Sequence, residues 1–441
     1  MGRRTDIAAL GLSQIVGYGT LYYGFATLAP SMARDFDRPT AWIFGAFSGA
    51  LLVGGVVAPS AGHLIDRLGA GRVMSSGSIL AAIGLVAEAF APSFETFAVA
   101  LVIGQIAATL VQYGAAFPLL VQRHGTSAGP SIVHLTLIAG FASTIFWPVT
   151  LGLHDTVGWR NTCLAFAALH LLVCLPIHLG LSRASAPRTP PAGPSHDVER
   201  MIRNGRLAGR ARRIGLTLVG IAFAFQSFVG AAVLVHMPPT LEALNLGPAG
   251  VLVGALFGPA QVASRLVNMI CGRHLPQTGL ALISATLLAA GVALLLATAP
   301  SFAGAVAFAL LFGMGNGLFS IVGGTLPLVL FGAEGYGALQ GRIMAIRLVV
   351  GATAPFLFAF AMNRYGIHAT LTATAVIGTL AVVTLAAIAG LARSHPSSEP
   401  DRETAGDTPT SNTDPSPDLS QGWATVPLIR ERSRCRPSNA I

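Results

Sequence analysis

Lysine is absent from the 441 residues: all 27 basic side chains are arginine. A phosphate-cradling GxxxxGK[ST] loop therefore cannot exist here, which argues against an ATP-driven pump encoded on this chain alone. Schiff-base chemistry on lysine is excluded with it. Charge of either sign is scarce, at 10% of residues against roughly 25% in a soluble protein, so lipid is the solvent that the composition fits. Cysteine is scarce too. Cys163, Cys174, Cys271 and Cys435 are too few and too scattered for a disulfide framework or a zinc site. Cys163 and Cys174 share a helix face but lie about 16 Å apart along it, as packing residues do. His134, His170, His178 and His236 show no ligand spacing. No metal and no cofactor is implied, and no hydrolytic or redox constellation marks an enzyme.

Apolar residues are abundant: 53% of the chain is hydrophobic and its mean hydropathy is +0.67. A bilayer core about 30 Å thick needs roughly 20 apolar residues per helix. That ruler predicts an all-α membrane protein with twelve spans, near 7–33, 41–61, 73–91, 96–120, 129–153, 160–181, 214–237, 248–271, 279–299, 302–330, 339–362 and 367–391. A polar, proline-containing linker, 182–213, divides two six-helix halves, 1–181 and 214–391. The start, MGRRTDIAALGLSQIVGYG, places basic residues before an apolar run as a signal peptide would. The run continues past residue 30 without a cleavage site, so it reads as a retained first span.

Arginine placement orients the chain. With the N-terminus inside, sixteen arginines face the cytoplasm, among them Arg3, Arg4, Arg123 and eight in the linker; only Arg34, Arg38, Arg160 and Arg364 face out. The positive-inside rule then puts both termini on the cytoplasmic side of an inner (plasma) membrane. The net charge of +9 needs no nucleic-acid partner to explain it. Residues 392–441, rich in Ser, Thr, Pro and Asp, are predicted to be a disordered cytoplasmic tail.

Internal duplication shows in GAFSGALLVGGVVAPSAGHLIDRLG (45–69) and GALFGPAQVASRLVNMICGRHLPQTG (254–279), which both begin with GxxxG. Gly62 and Gly69 are spaced as Gly272 and Gly279 are. The loop after the second span, GHLIDRLGAGR, carries Gly62, Asp66, Arg67, Gly69 and Arg72. It resembles the GxLaDrxGrr signature of the major facilitator superfamily, and GWRNT (158–162) is similar to that family's GWR segment. The resemblance covers residues 1 to about 391. It implies a twelve-helix, pseudo-symmetric carrier, commonly monomeric, that works by alternating access. It also implies that Asp66 and the arginines form a charge cluster reaching the start of the eleventh helix, broken as the carrier switches. The second copy, GRHLPQTG, lacks the acid, so a latch there should be weaker.

Arg265 stands in GPAQVASRLVNMICG with no acidic residue for more than twenty positions either side. An unpaired guanidinium in hydrocarbon costs about 2.5 to 17 kcal/mol, depending on the reference state. Arg347, in QGRIMAIRLVVGATAPF, falls at a similar depth in the eleventh span, roughly 10–12 Å from the cytoplasmic end. The spans offer one acid, Glu88, near the opposite end of the third. Two unpaired cations favour an anionic small molecule, and arginine's planar fork suits a carboxylate. Alternatively, either arginine reaches the interface or bonds backbone carbonyls. The pair resembles the oxalate–formate and monocarboxylate branches of the superfamily, where such basic residues hold substrate carboxylates. Two departures stand out: the second base is arginine where lysine is familiar, and Gln261 replaces an aspartate linked to proton coupling.

Candidate partners for a substrate lie on the other half. Gln14, Tyr18 and Tyr22 form a stripe with a four-residue period, and Gln105, Thr109 and Gln112, with Tyr113 beside them, form another. Such groups either line a site or bond across helices to hold the bundle together. The leading expectation is a secondary transporter of a small mono- or dicarboxylate. The alternative is an efflux carrier for a neutral toxicant such as a drug or arsenite. A receptor on the same scaffold would show a folded domain in the linker or tail, and neither sequence suggests one.

Overall fold

The computed structural model describes residues 2–125, 128–183, 205–246 and 249–394. Most of the expected linker (184–204) and tail (from 395) lies outside the described residues. The described chain is helical. The first pass is α1 (Arg3–Tyr18), a π turn (Gly19–Tyr23) and α2 (Gly24–Asp35). Next come α3 (Thr40–Leu68), α4 (Ala70–Ala89), α5 (Phe94–Val111) and α6 (Tyr113–His124). They lead to α7 (Ala128–Ala139), α8 (Ala142–Leu169), a second π turn (His170–Cys174) and α9 (Leu175–Arg183). After the linker follow α10 (Gly209–Val235), α11 (Met237–Ala243), α12 (Ala249–Cys271), α13 (Gln277–Thr298), α14 (Phe302–Phe331) and α15 (Tyr336–Arg393). Where they are described, the expected stretches lie mostly in helix, with interruptions at Gln112 and at Gly140 and Phe141. Eight helical stretches among the described residues are long and apolar enough to cross a bilayer.

Glycine decides where the long helices turn. At about 1.5 Å per residue, the 58 residues of α15 would run nearly three bilayer cores if straight. They break at Gly366 (φ 80°, ψ 168°), and α8 breaks in the same way at Gly158 (φ 79°, ψ 169°). Only glycine adopts that backbone without strain. Thr162 and Thr370 each donate a hydroxyl bond to the breaking glycine's carbonyl. Ser93 and Ser301 cap α5 and α14, each accepting from the backbone N–H three residues on. Each pair lies 208 positions apart (158 to 366, 162 to 370, 93 to 301), a periodicity in backbone geometry where the sequence offered only scattered glycines.

Three apolar clusters hold the bundle together. One draws on residues between Val16 and Cys174, and a second on residues between Val229 and Leu371. The third unites both parts of the chain and includes Ile7, Tyr113, Phe117, Phe331, Tyr336 and Ala392, so both ends of the described chain share one face. Here α3 and α15 approach so closely that a side chain on Gly62 would strike the Gly337 carbonyl, and one on Gly341 the carbonyl of Ala58. Small residues serve this purpose in membrane bundles, where apolar burial between helices gains little over lipid contact. Val56, Phe90, Leu172 and Phe356 point outward, each at least 70% exposed, as lipid-facing residues would.

The same face holds a buried ion pair. Asp6 Oδ2 accepts from Arg123 Nη2 at 2.7 Å and Nε at 3.0 Å, while Arg123 Nη1 donates to the Leu181 carbonyl at 2.8 Å. Both side chains are under 10% exposed. Removing one member of such a pair strands the other, at a cost of about 3–5 kcal/mol. Asp6→Ala should accordingly lower the thermal unfolding midpoint of the purified protein well below that of an exposed-site control such as Asp155→Ala.

Candidate functional site

Three interruptions of regular helix converge on Arg265. The first is the π turn Gly19–Tyr23, whose i→i+5 bonding admits one extra residue. The second is Gln112, extended at φ −83° and ψ −163°, which separates α5 from α6. The third is the turn at Gly140 and Phe141 between α7 and α8. Irregular backbone at membrane depth persists only where protein buries it or where it lines a cavity. These breaks border a small cleft lined by Tyr18, Tyr23, Tyr113, Ser143, Gln261 and Arg265.

Arg265 is 7% exposed. Its Nε donates to the Gly317 carbonyl at 3.2 Å, its Nη1 to the Thr136 carbonyl at 3.1 Å and its Nη2 to Gln261 Oε1 at 3.5 Å. Gln261 Oε1 also accepts from Asn316 Nδ2 at 3.1 Å. Glycine makes both carbonyls reachable. A side chain at Gly317 would strike Ser264 and block the approach of α14 to α12, and one at Gly140 would strike the guanidinium itself. Thr136 lies in the last turn of α7, so Arg265 meets the negative end of a helix dipole. The carbonyl-bonding alternative is thus realised in this conformation. No carboxylate pairs with Arg265 among the described residues.

Arg347 lies alongside. Its guanidinium stacks over the Phe319 ring at 4.5 Å, and its Nη1 is buried without a hydrogen-bond partner among the described residues. Gly323 leaves it room, since a Cβ there would come within 2.7 Å of Nη1. Tyr113 lies within the electrostatic reach of both arginines and packs on Tyr18 with ring centroids 4.8 Å apart. Tyr18, Tyr113, Gln261 and Arg265 therefore come together, with Arg347 behind the tyrosines.

Tyr22 and Gln112 do not join the lining. The π turn advances the register, so Tyr23 lines the cleft beside Tyr18, while Tyr22 is 41% exposed and packs against Phe47. Gln112 Nε2 donates to the Gly17 carbonyl at 3.4 Å, as Gln14 does to Val111 and Gln105 to Leu21. These amides stitch α1 and the π turn to α5. The sequence reading does not reach Tyr23, Ser143 or the carbonyl of Thr136. The glycine-flanked run GTLYYG was the one signal available for Tyr23.

At the face shared by the chain ends, Asp66 caps the start of α15. Oδ1 accepts from Gly337 N–H at 2.9 Å and Oδ2 from Ala338 N–H at 2.8 Å. Gly69, at φ 88°, turns the chain from α3 into α4, and Gln122 clamps that turn through the Ile65 carbonyl and Ala70 N–H. Arg67 and Arg72 are exposed and make no hydrogen bond or ion pair among the described residues. On the opposite face the GWR segment acts as a strap. Trp159 Nε1 donates to Asp35 at 2.7 Å, and Arg160 Nη1 donates to the Ala89 and Ala91 carbonyls.

A basic cleft set among broken, membrane-length helices defines a carrier of small molecules rather than an enzyme. The chain belongs to the major facilitator superfamily, whose sequence profile, Major Facilitator Superfamily, matches residues 10–280. It is similar to human (Homo sapiens) monocarboxylate transporter 11, 28% identical over 364 residues that cover 79% of this chain and 67% of the relative. The mouse (Mus musculus) monocarboxylate transporter 11 is 26% identical over 356 residues, covering 76% of each chain. Among solved structures, the human organic anion transporter MFSD10 (TETRAN) superposes with a TM-score of 0.68 at 15% identity, covering 87% of this chain and 100% of that one. The protein is a multi-pass membrane transporter of the secondary kind.

Proposed function

We propose that this transporter moves a small organic anion, a mono- or dicarboxylate, by alternating access between halves 1–181 and 214–391. The observation that carries this reading is a buried guanidinium that lines a tyrosine-walled cleft with no carboxylate among the described residues to neutralise it. Arg347, whose Nη1 has no hydrogen-bond partner among the described residues, adds a second positive charge beside the same tyrosines. A substrate carboxylate offers each guanidinium a stronger, charge-assisted acceptor than a neutral carbonyl does. Tyrosine rings supply an apolar wall with a polar tip, as a short organic acid requires. The relatives' names, a monocarboxylate transporter and an organic anion transporter, point the same way. Both termini face the cytoplasm of a plasma membrane in this reading, following the arginine distribution.

Counterflow in liposomes tests it. Purified protein loaded with unlabelled oxalate, formate or lactate should accumulate the corresponding labelled acid, with arsenite run in parallel. Movement of arsenite with no carboxylate movement would overturn the anion reading in favour of a neutral cargo.

A further inference from the structure

Glu88, next to last in α4, is 6% exposed and has no hydrogen-bond or ion-pair partner among the described residues. It lines a small void, roomy enough for about one water molecule, together with Thr20, Phe25, Gln105, Cys163 and Phe166. Across from it α5 presents bare Gly104, where a Cβ would sit 3.3 Å from Glu88 Oε1. The polar groups around it are engaged elsewhere. Gln105 Nε2 donates to Leu21, and the Thr20 hydroxyl lies 2.8 Å from both the Val16 carbonyl and His170 Nε2. Arg160, the nearest cation by sequence position on α8, is directed to the carbonyls of Ala89 and Ala91 and to Asp35. The Cys163 thiol is the remaining titratable group that lines this cavity.

We propose that Glu88 is a proton-binding site that couples transport to proton movement, separate from the arginine cleft. An ionised carboxylate out of water without a partner is costly, and a proton removes that cost. Any movement that changes water's access to the cavity therefore moves a proton onto or off Glu88. The two cavities are walled by one element. In the π turn, Thr20 and Leu21 face Glu88 while Tyr23 faces the arginine cleft. Gln105 holds the Leu21 carbonyl of that turn, and Thr20 ties it to His170, the first residue of the second π turn. The proton comes from water on the open side, forms an O–H bond at a carboxylate oxygen, and returns to water after the switch. One bound monocarboxylate anion and one bound proton leave the carrier's net charge equal to that of the empty, deprotonated form. This places proton handling away from Gln261, which cannot carry it.

The transport half of this idea rests on the anion reading above, and the site itself does not. Full-length protein in liposomes is treated with dicyclohexylcarbodiimide, an apolar reagent for protonated carboxyl groups, and the adduct is mapped by mass spectrometry. Glu88 should be modified, more at mildly acid than at mildly alkaline pH. No adduct, or one independent of pH, overturns the proposal. In the second arm, Glu88→Gln should retain carboxylate counterflow, which needs no net proton movement, and lose accumulation driven by an inward proton gradient. Glu88→Asp should keep part of that accumulation, which separates proton binding from packing. Gradient-driven accumulation that survives in Glu88→Gln also overturns the proposal. A pH-dependent adduct in a protein that exchanges no carboxylate supports the proton site and overturns the anion reading instead.

Discussion

Arg265→Gln should abolish carboxylate counterflow at substrate concentrations that saturate the wild type. Truncating one member of a desolvated, hydrogen-bonded charge pair costs about 2–5 kcal/mol, and tenfold in affinity corresponds to about 1.4 kcal/mol. Those figures put the loss at roughly 30- to 5,000-fold in affinity. Arg265→Lys should fall between, because it restores the charge but not the planar fork. The substitution also removes bonds to the Gly317 and Thr136 carbonyls, so folding must be followed separately by thermal unfolding. If the arginine merely ties α12 to α7 and α14, the variant will melt earlier while the substrate concentration for half-maximal rate stays unchanged. That outcome would sink the binding role. Arg347→Gln should weaken binding less, since this guanidinium already rests on the Phe319 ring and keeps that contact whether or not substrate is present.

Membrane length and charge asymmetry are one-dimensional properties, so the helices and the loop motif were legible from sequence. Asp66 was expected to reach the eleventh helix, and its carboxylate does cap Gly337 and Ala338. The arginines of that loop were expected to join it and instead stand in solvent, where hydration competes well with any protein partner. Arg265 stood out because hydrocarbon makes a lone charge conspicuous. Its carbonyl partners did not, because backbone acceptors carry no sequence signature. Tyr22 was chosen over Tyr23 on a four-residue period, and the π turn shifted the register by one position. A helical wheel assumes uniform helix, so it fails at the very irregularities that build this cleft. The Asp6–Arg123 pair was also invisible, since 117 residues separate partners that only the folded bundle brings together.

Asp66→Asn should shift the carrier toward opening at the face shared by the chain ends. The carboxylate currently accepts two N–H bonds from the first turn of α15, at 2.9 and 2.8 Å, and also meets the positive end of that helix dipole. An asparagine amide retains one oxygen and presents an NH2 where the second acceptor was, so one bond is lost and a donor faces a donor. Hydrogen bonds to a charged group contribute about 1.5–3 kcal/mol, which corresponds to roughly 10- to 150-fold in the equilibrium between the two openings. Spin labels on Leu68 and Leu275, both exposed, would report it once the native cysteines are replaced. The distance distribution should move to longer values in Asp66→Asn, and the rate of counterflow should fall with little change in substrate affinity. Gly62→Leu should act in the same direction by steric means, because the Gly337 carbonyl occupies the space its side chain needs. Two substitutions of different chemistry that separate the same two labels would locate the latch in the α3–α15 contact rather than in the charge alone. An unchanged distribution in both would mean that the apolar cluster around Phe117, Phe331 and Tyr336 holds this face closed without help from Asp66.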